Sequence, residues 1–317
     1  MALIDVIIPC YNYGMYLNDS IESVLRQTFQ DFNLFIIDDG STDNTREVGE
    51  RFQSIHPNIH YVFHENRGLP AARNVGLKLS TAPFIAFLDA DDVWMPKKLE
   101  ESLRLFSLQP NIGMVYTVIE LMDNAGNQLS PARPCAPVKG NVFRQLLFRN
   151  RIVSPSSVLL RRECIDKVGG FDELLPCCAD WDLWLRITRF FQIDFVANPM
   201  VKVRIHPSNM HKNVEKMVRD KLVLIHKALR DESKVLSDIE QSVRANLYLT
   251  VSRQYIDIGS QKKTLQFILK ALITKPLYSA CHPFFRETIS LLFENTLFIV
   301  TRRVKRFIKV CLLMAKR

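Results

Sequence analysis

The sequence contains no run of 18 apolar residues, so we predict no membrane-spanning helix. The first five residues have neither a basic segment nor a long apolar segment, and we therefore predict no secretory signal peptide. The seven cysteines include no C-x-x-C pair and no spacing typical of metal ligands. An odd number of cysteines in a chain without a signal peptide favours reduced thiols and a cytoplasmic location.

Acidic residues are also fewer than basic ones. The chain has 33 Asp and Glu against 42 Lys and Arg, which gives a formal net charge of +9. An excess of positive charge favours polyanionic partners such as nucleotides, nucleic acids or an anionic membrane. We expect no nucleic acid partner, because the excess is concentrated near the C-terminus and no RNA- or DNA-binding motif is present. The 317 residues are enough for one large domain or two.

One stretch organises the rest of the chain. An apolar run over residues 84–88 predicts a buried strand, and it is followed by three acids within four residues, Asp89, Asp91 and Asp92. Two carboxylates about 4 Å apart repel each other by roughly 4 kcal/mol at a protein-like dielectric constant. A proton, a basic partner or a divalent cation must offset that repulsion.

A divalent cation is the hypothesis we develop. Mg²⁺ and Mn²⁺ favour carboxylate oxygens and often share them with substrate phosphates, and ligands bind where strands of an open α/β sheet end. We therefore expect residues 89–91 to hold a metal that holds a diphosphate. The alternative is that Asp92 is a turn residue before a helix beginning at Pro96, and that the other two acids are solvated.

Hydrophobic periodicity predicts alternating strands and helices up to about residue 212. This alternation indicates an α/β fold with a mostly parallel sheet and helices on both faces. From residue 213 onward the strand patterns vanish, which predicts a helical region over 213–317. Its end is both apolar and basic, so it could lie on an anionic membrane or pack on the body of the protein. Strands are predicted at 3–8, 32–37, 59–64, 84–88, 112–122, 156–161 and 195–204, and helices at 18–26, 44–52, 70–79, 96–108, 142–148, 162–168 and 181–191.

Six segments, in order and with suitable gaps, resemble the family 2 glycosyltransferases of the GT-A fold. The resemblance covers roughly residues 3–212 and does not extend to the helical region. The segments are Val-Ile-Ile-Pro-Cys-Tyr-Asn at 6–12, Ile-Asp-Asp-Gly-Ser-Thr-Asp-Asn-Thr at 37–45, Asn-Arg-Gly-Leu-Pro-Ala-Ala-Arg-Asn at 66–74, Phe-Leu-Asp-Ala-Asp-Asp at 87–92, Gly-Gly-Phe-Asp-Glu at 169–173 with Asp-Trp-Asp-Leu-Trp-Leu-Arg at 180–186, and Arg-Ile-His at 204–206.

The resemblance implies a GT-A catalytic domain over residues 1–212, with a Rossmann-like sheet of the nucleotide-diphospho-sugar transferases. It implies an inverting, metal-dependent enzyme that moves a sugar from a nucleotide-diphosphate donor, such as a UDP-sugar, to a glycan or lipid-linked acceptor. The expected setting is cell-surface polysaccharide synthesis, with Mn²⁺ or Mg²⁺ as cofactor. The expected location is the cytoplasm, with a peripheral contact at the inner face of the membrane.

By resemblance, the donor site lies at the ends of the early strands. Tyr11 would stack on the uracil ring, unless it is a core aromatic. Asp39 would accept a hydrogen bond from the ring N–H of the base, and Arg73 would reach the base or the diphosphate. The residues that the resemblance assigns to the donor site are Pro9, Tyr11, Asn12, Asp38, Asp39, Arg73, Asp89 and Ala90.

The resemblance also assigns a metal ligand and a base. Asp91 would bind the metal, and His206 would complete metal or diphosphate binding unless it is an ordinary loop histidine. Asp180 would be the general base that takes the proton of the acceptor hydroxyl. Alternatively, Asp180 could cap the helix that follows it. Many family members carry an acid directly before this position, whereas this chain has Ala179.

Two other classes of function stay open at this point. Nucleotidyltransferases also hold Mg²⁺ with aspartates at the end of a parallel strand, although their glycine-rich first loop differs from residues 9–12. A non-catalytic protein that binds carbohydrates or nucleotides is the other alternative, and Ala179 is the feature that favours it.

Overall fold

The computed structural model describes residues 2–129, 136–207, 209, 213–231, 236–283 and 285. The chain divides into two compact units, Met1–Met210 and His211–Arg317. Among the described residues, the first unit contains both strands and helices, and the second contains helices alone.

One sheet forms the centre of the first unit. Its strands are β1 (Ile4–Cys10), β2 (Phe32–Asp39), β3 (Ile59–His64), β4 (Phe84–Phe87), β5 (Val93–Trp94), β6 (Ile112–Met122), β7 (Leu159–Arg161) and β8 (Gln192–Arg204). Their order across the sheet is β3-β2-β1-β4-β7-β6-β8-β5.

The sheet is mixed, and parallel pairs are in the majority, in line with the predicted mostly parallel sheet. Four neighbouring pairs are parallel and three, each involving β7 or β5, are antiparallel. The antiparallel strands β7 and β5 have one feature in common, which is that no crossover helix directly precedes them. β7 follows a 3-10 turn at Pro155–Ser157, and β5 follows the acidic loop, residues 88–92.

Seven helices belong to the first unit and four to the described part of the second. The first seven are α1 (Gly14–Leu25), α2 (Thr45–Ile55), α3 (Leu69–Leu79), α4 (Lys98–Leu108), α5 (Phe143–Phe148), α6 (Arg162–Val168) and α7 (Ala179–Thr188); the other four are α8 (Val214–Asp231), α9 (Glu240–Asp257), α10 (Gln261–Thr274) and α11 (Pro276–Cys281). None of the helices in the described ranges is long and apolar enough to cross a membrane.

Strand β1 is buried along its whole length, as expected for a strand with neighbours on both sides and covered faces. Its one charged residue, Asp5, is fully satisfied. The Asp5 carboxylate accepts hydrogen bonds from the Ser80 hydroxyl at 2.8 Å and from the N–H groups of Thr81 and Ala82 at 2.7 Å each. This buried acid therefore fixes the end of α3 beside β1.

Helix α1 begins at Gly14, four residues before the predicted start at residue 18. The N–H of Gly14 donates to the Asp43 carboxylate at 3.0 Å, which satisfies the first turn without a local cap. A Cβ at position 14 would lie 2.3 Å from the Asn44 side-chain oxygen, so only glycine fits this start. Asp19 is therefore an internal helical residue that is free to pair with a side chain from another element.

The second unit has its own apolar core where α9, α10 and α11 meet. Its buried members are Leu249, Ile268, Ala271, Leu272, Ala280 and Phe285. The basic, apolar end predicted for this region lies outside the described residues from position 286 onward.

Candidate active site

The sheet brings several of the predicted residues to one edge. β1 pairs in parallel with both β2 and β4, so the carboxyl ends of these three strands lie side by side. Pro9 lies near the end of β1, Asp38 and Asp39 end β2, and Asp89 lies two residues after the end of β4. The register of the strands alone thus gathers these groups at one edge.

The paired acids of β2 already have protein partners. The Asp38 carboxylate accepts hydrogen bonds from the Tyr61 hydroxyl at 2.5 Å and from the N–H of Ser41 at 2.8 Å. The Asp39 carboxylate accepts from the N–H groups of Arg67 at 2.8 Å and Gly68 at 2.9 Å. Both acids therefore shape the loops at this edge, and Asp39 keeps unused lone pairs because each of its oxygens has one hydrogen bond in this set.

The loop after β1 carries an exposed aromatic side chain. Tyr11 is 48% exposed, which excludes the core-aromatic alternative. Asn12 next to it has a positive φ of 56°, and its side-chain oxygen accepts the N–H of Thr42 at 2.8 Å. The loop is thus fixed to the turn after β2, with the Tyr11 ring open to the surroundings.

Arg73 is a buried helix residue. Its guanidinium donates to the Asp89 carboxylate at 2.6 Å and lies over the Phe171 ring at 5.3 Å. The buried Nε of Arg73 has no hydrogen-bond partner. This unpaired, charged N–H can donate a hydrogen bond to an incoming anion.

Asp91 and His206 face each other. The Asp91 carboxylate lies 2.8 Å from the Nε2 atom of His206, and both side chains are buried. Burial and the nearby Asp89 raise the pKa of Asp91, while the hydrogen bond from His206 opposes that rise. The ring of Tyr13 lies edge-on to the imidazole, with centroids 5.4 Å apart, and burial together with Asp91 and Asp89 raises the Tyr13 pKa.

Asn209 also lies beside this pair, and it was not among the site residues predicted from the sequence. The main-chain N–H of His206 donates to the Asn209 side-chain oxygen at 2.7 Å, and the amide nitrogen lies 3.0 Å from the imidazole Nε2. The only signal available was its place three residues after His206.

Asp92 is a buried acid with several hydrogen-bond partners. It is 2% exposed, and its carboxylate accepts from the Ser156 hydroxyl at 2.6 Å and the N–H of Arg204 at 3.1 Å. The Ser20 hydroxyl donates to the main-chain oxygens of Ala90 at 2.7 Å and Asp92 at 2.8 Å. Burial and the neighbouring acids raise the pKa of Asp92 well above its ordinary value. Helix α4 begins at Lys98, two residues after the predicted start at Pro96, and β5 lies between Asp92 and Pro96.

Asp180 lies in the first turn of α7, not at its N-cap, which is Cys178. The half-buried Asp180 carboxyl has a raised pKa. Burial is the main cause, and Asp89 adds to it, while Arg73 lowers the pKa. Asp182, two residues further along α7, is already paired with Arg186 at 2.7 Å. Asp180 therefore shares an electrostatic environment with Asp89 and Arg73, whereas Asp182 is a structural acid.

The donor atoms at Asp91 and His206 fit a divalent cation. A carboxylate oxygen and an imidazole nitrogen suit Mn²⁺, and a buried carboxyl with a raised pKa gains from replacing a proton by a cation. No group of three or more His, Cys, Asp or Glu side chains suited to a metal occurs among the described residues. The two side chains would hold a metal whose other ligands come from water and a diphosphate, which is a common arrangement for Mg²⁺ with phosphates.

Comparison with known proteins bears directly on this geometry. The family model described as "Glycosyl transferase family 2" matches residues 5–169, more than half of the chain. The chain belongs to glycosyltransferase family 2. The resemblance stated from the six segments is thereby confirmed, and so is the assignment of the protein as a transferase enzyme.

One curated relative of this family 2 glycosyltransferase is an uncharacterized glycosyltransferase of Rickettsia conorii, 32% identical over 217 residues. The match takes in 67% of this chain and 36% of the relative, so this chain spans only about a third of that protein.

Two solved structures share the fold. Staphylococcus aureus TarS 1–349 in complex with UDP-GlcNAc has a TM-score of 0.65 at 16% identity, and the match covers 92% of this chain and 88% of that one. The mannosyltransferase PcManGT of Pyrobaculum calidifontis, in complex with GDP-Man and Mn²⁺, has a TM-score of 0.62 at 17% identity, covering 99% and 86%. At these identities the two structures establish the GT-A fold, as predicted.

Proposed function

We propose that this family 2 glycosyltransferase is an inverting, metal-dependent enzyme that transfers a sugar from a nucleotide-diphosphate donor to a hydroxyl of a glycan or lipid-linked acceptor. A UDP-sugar is the donor we favour. Cell-surface polysaccharide synthesis is the setting expected for that reaction. The proposal assigns the reaction to the unit Met1–Met210.

The observation that carries the proposal is that two acids at one edge of the sheet have partners of different chemistry. Asp91 faces His206 at 2.8 Å, while Asp89 faces Arg73 at 2.6 Å. The first pair offers ligands for a cation, and the second offers a cationic donor for an anion. A metal-bound diphosphate needs both kinds of group side by side.

Donor recognition would use the neighbouring loops. The exposed ring of Tyr11 would stack on the base, and the free lone pairs of Asp39 would accept its ring N–H. The printed titles of the two structural neighbours name UDP-GlcNAc and GDP-Man as their ligands. These two ligands carry different bases, uracil and guanine. The choice of UDP for this protein is therefore part of the proposal, and direct binding measurements must test it.

Asp180 would act as the general base. A sugar hydroxyl is a poor nucleophile, so a carboxylate oxygen must remove its proton as it attacks the anomeric carbon. A single attack from the face opposite the diphosphate inverts that centre. The raised pKa of Asp180 makes its carboxylate a stronger proton acceptor than an ordinary aspartate. A divalent metal held by Asp91 and His206 would stabilise negative charge on the departing diphosphate. Arg73 would donate to the same diphosphate.

Binding and turnover of matched variants test these roles. We expect UDP to bind the wild type more tightly with Mn²⁺, and the wild type to release UDP from its donor. Asp91→Asn should lose the Mn²⁺ dependence of UDP binding. Asp180→Asn should keep that binding but lose turnover by about 10²- to 10⁴-fold. Asp31, an exposed acid before β2, provides the control, and Asp31→Asn should behave like the wild type.

Other results would point to the alternatives. Release of pyrophosphate instead of UDP would indicate nucleotidyl transfer. Tight binding of a nucleotide-sugar without release of UDP, across a panel of acceptors, would indicate a binding protein. Normal turnover by Asp180→Asn would remove the base assignment while leaving the metal and donor assignments intact.

Peripheral membrane contact by residues 284–317 is also part of the proposal. Basic and apolar residues are interleaved in that segment of the sequence, a composition that binds anionic lipid surfaces. Co-sedimentation with anionic vesicles, compared between the full chain and a chain ending at residue 283, tests it. Equal sedimentation of the two would refute the contact.

A further inference from the structure

Arg204, at the end of β8, is a buried hub beneath the acidic loop. Its Nε donates to the main-chain oxygen of Asp91 at 3.0 Å, and its own main-chain N–H donates to the Asp92 carboxylate at 3.1 Å. A third bond runs from its Nη1 to the main-chain oxygen of Asn124 at 2.9 Å. Arg204 therefore fixes the backbone of the residue that we assign as the metal ligand, without touching its carboxylate.

A buried arginine beside a cation site creates an electrostatic problem. The Tyr16 ring contacts both groups: the Arg204 guanidinium lies 4.8 Å from the ring centroid, and the His206 ring lies 5.3 Å from it. A permanent positive charge so near Asp91 and His206 repels a divalent cation and attracts a diphosphate. Its net effect on the site depends on whether the charge is compensated.

Asp19 supplies that compensation. Its carboxylate lies 3.1 Å from the Nη2 of Arg204, on the one guanidinium nitrogen not engaged with a main-chain oxygen in the contacts above. The Arg204 side chain is 3% exposed and that of Asp19 is 58% exposed, so Asp19 lies on the solvent side of the buried guanidinium. Asp19 reaches this position only because α1 begins at Gly14 and carries it as an internal residue.

We propose that Asp19 and Arg204 form a charge-compensated positioning pair for the metal ligand Asp91. Arg204 holds the Asp91 backbone in place, and Asp19 cancels the charge of Arg204 so that a divalent cation can bind next to it. This inference depends on the proposed function, because it concerns the same metal and diphosphate. It adds a specific role for an acid of α1 that contacts neither the metal ligands nor the donor residues.

The proposal makes an unusual prediction for Asp19→Asn, which keeps the size of the side chain but removes its charge. Mn²⁺ should promote UDP binding about three- to tenfold more weakly than in the wild type, since one uncompensated charge now repels it. UDP alone, without metal, should bind more tightly by a similar factor. Both differences should shrink in 1 M salt, where the Debye length is about 3 Å.

Two further variants separate charge from geometry. Arg204→Lys keeps the charge but cannot make the three side-chain contacts, so it should weaken Mn²⁺-dependent UDP binding without tightening metal-free binding. Glu22→Gln removes an exposed acid one turn further along α1 that pairs with Arg26 instead. It should leave both UDP affinities unchanged and serves as the matched control. Isothermal titration with UDP, at several Mn²⁺ concentrations, gives all of these values.

The signs of the changes decide the outcome. Opposite shifts for cation and anion in Asp19→Asn support the pair, because a purely structural role would weaken both. Loss of both affinities, no change in either, or the same response in Glu22→Gln would overturn it. If the wild type itself binds UDP independently of Mn²⁺, the proposed function fails instead, and that result is visible before any variant is compared.

Discussion

Lys98 is a fully buried lysine in the first turn of α4. It therefore allows a direct test of how much a buried amine costs in folding free energy. Its amine donates to the main-chain oxygen of Val158 at 3.1 Å and lies over the Trp94 ring at 4.0 Å. No carboxylate pairs with it among the ion pairs of the described residues. Burial lowers the pKa of Lys98 well below its ordinary value.

The perturbation is Lys98→Met, which keeps most of the side-chain volume and removes the amine. A lysine that folding makes neutral at pH 7 costs at most about 5 kcal/mol, at about 1.4 kcal/mol for each pH unit below its ordinary pKa near 10.4. The helix N-terminus adds to the cost of keeping the charge. Against this, the variant leaves the oxygen of Val158 without its donor, which costs about 1–3 kcal/mol. The difference between these two terms makes Lys98→Met more stable than the wild type by up to about 2–4 kcal/mol at pH 7.

The pH dependence fixes the sign independently. Because the folded pKa of Lys98 is lowered, the unfolded chain binds the extra proton between that pKa and 10.4, and wild-type stability rises with pH across this window. At pH 10 the cost of neutralising the lysine falls below about 1 kcal/mol. The lost hydrogen bond then dominates, so the Met variant should become equal to or less stable than the wild type.

Urea unfolding of the two proteins at pH 7, 8, 9 and 10 measures this crossing. Lys97→Met is the matched control, because Lys97 is exposed whereas Lys98 is buried. This substitution should change the free energy of unfolding by no more than about 0.5 kcal/mol at every pH. A Lys98→Met variant that is less stable at pH 7, or whose advantage is the same at pH 7 and pH 10, would show that the buried amine stays charged and that the reasoning is wrong.

Three further predictions concern the first unit. Since Arg73 lowers and Asp89 raises the pKa of Asp180, the acidic limb of the kcat profile should move to higher pH in Arg73→Gln and to lower pH in Asp89→Asn. Asp5→Ala should lower the free energy of unfolding by about 2–4 kcal/mol in urea, because it leaves several buried donors unpaired. In Gly76→Ala the new Cβ would lie 2.5 Å from a β1 side-chain carbon, so Tm should fall despite the better helix propensity of alanine.

The parts of the fold that the sequence predicted well depend on local patterns. Continuous apolar runs identified β1, β2 and β4, and each run ended where polar residues began. Because neighbouring parallel strands end at the same edge, the gathering of Asp39 and Asp89 followed from those runs. The pattern could not reveal the direction of β7, since no helix immediately precedes that strand to enforce a crossover.

Boundaries went wrong where a distant residue replaced a local signal. Asn18 and Asp19 are good N-cap residues, but the first turn of α1 is satisfied by Asp43 of another loop. At the start of α7, the alternative that Asp180 caps the helix is wrong, because Asp180 lies inside the first turn. Single-sequence reasoning weighs the cap that is present and has no access to one supplied from 29 positions away.

The acidic cluster at residues 89–92 shows that a sequence motif does not reveal the partners of its side chains in the folded protein. In the sequence the three neighbouring carboxylates form one cluster, whose repulsion a proton, a basic partner or a divalent cation could offset. In the folded protein Asp89 faces Arg73, and Asp92 faces Ser156 and the N–H of Arg204.

Only Asp91 faces a group, the His206 imidazole, that can itself become a metal ligand. Replacing the shared proton with a cation therefore costs least at that position, because both partners remain coordinated afterward. The other two acids have partners that cannot exchange in this way. This asymmetry supports our proposal that a cation binds at Asp91, and it depends on side chains that lie from 16 to 115 residues away along the chain.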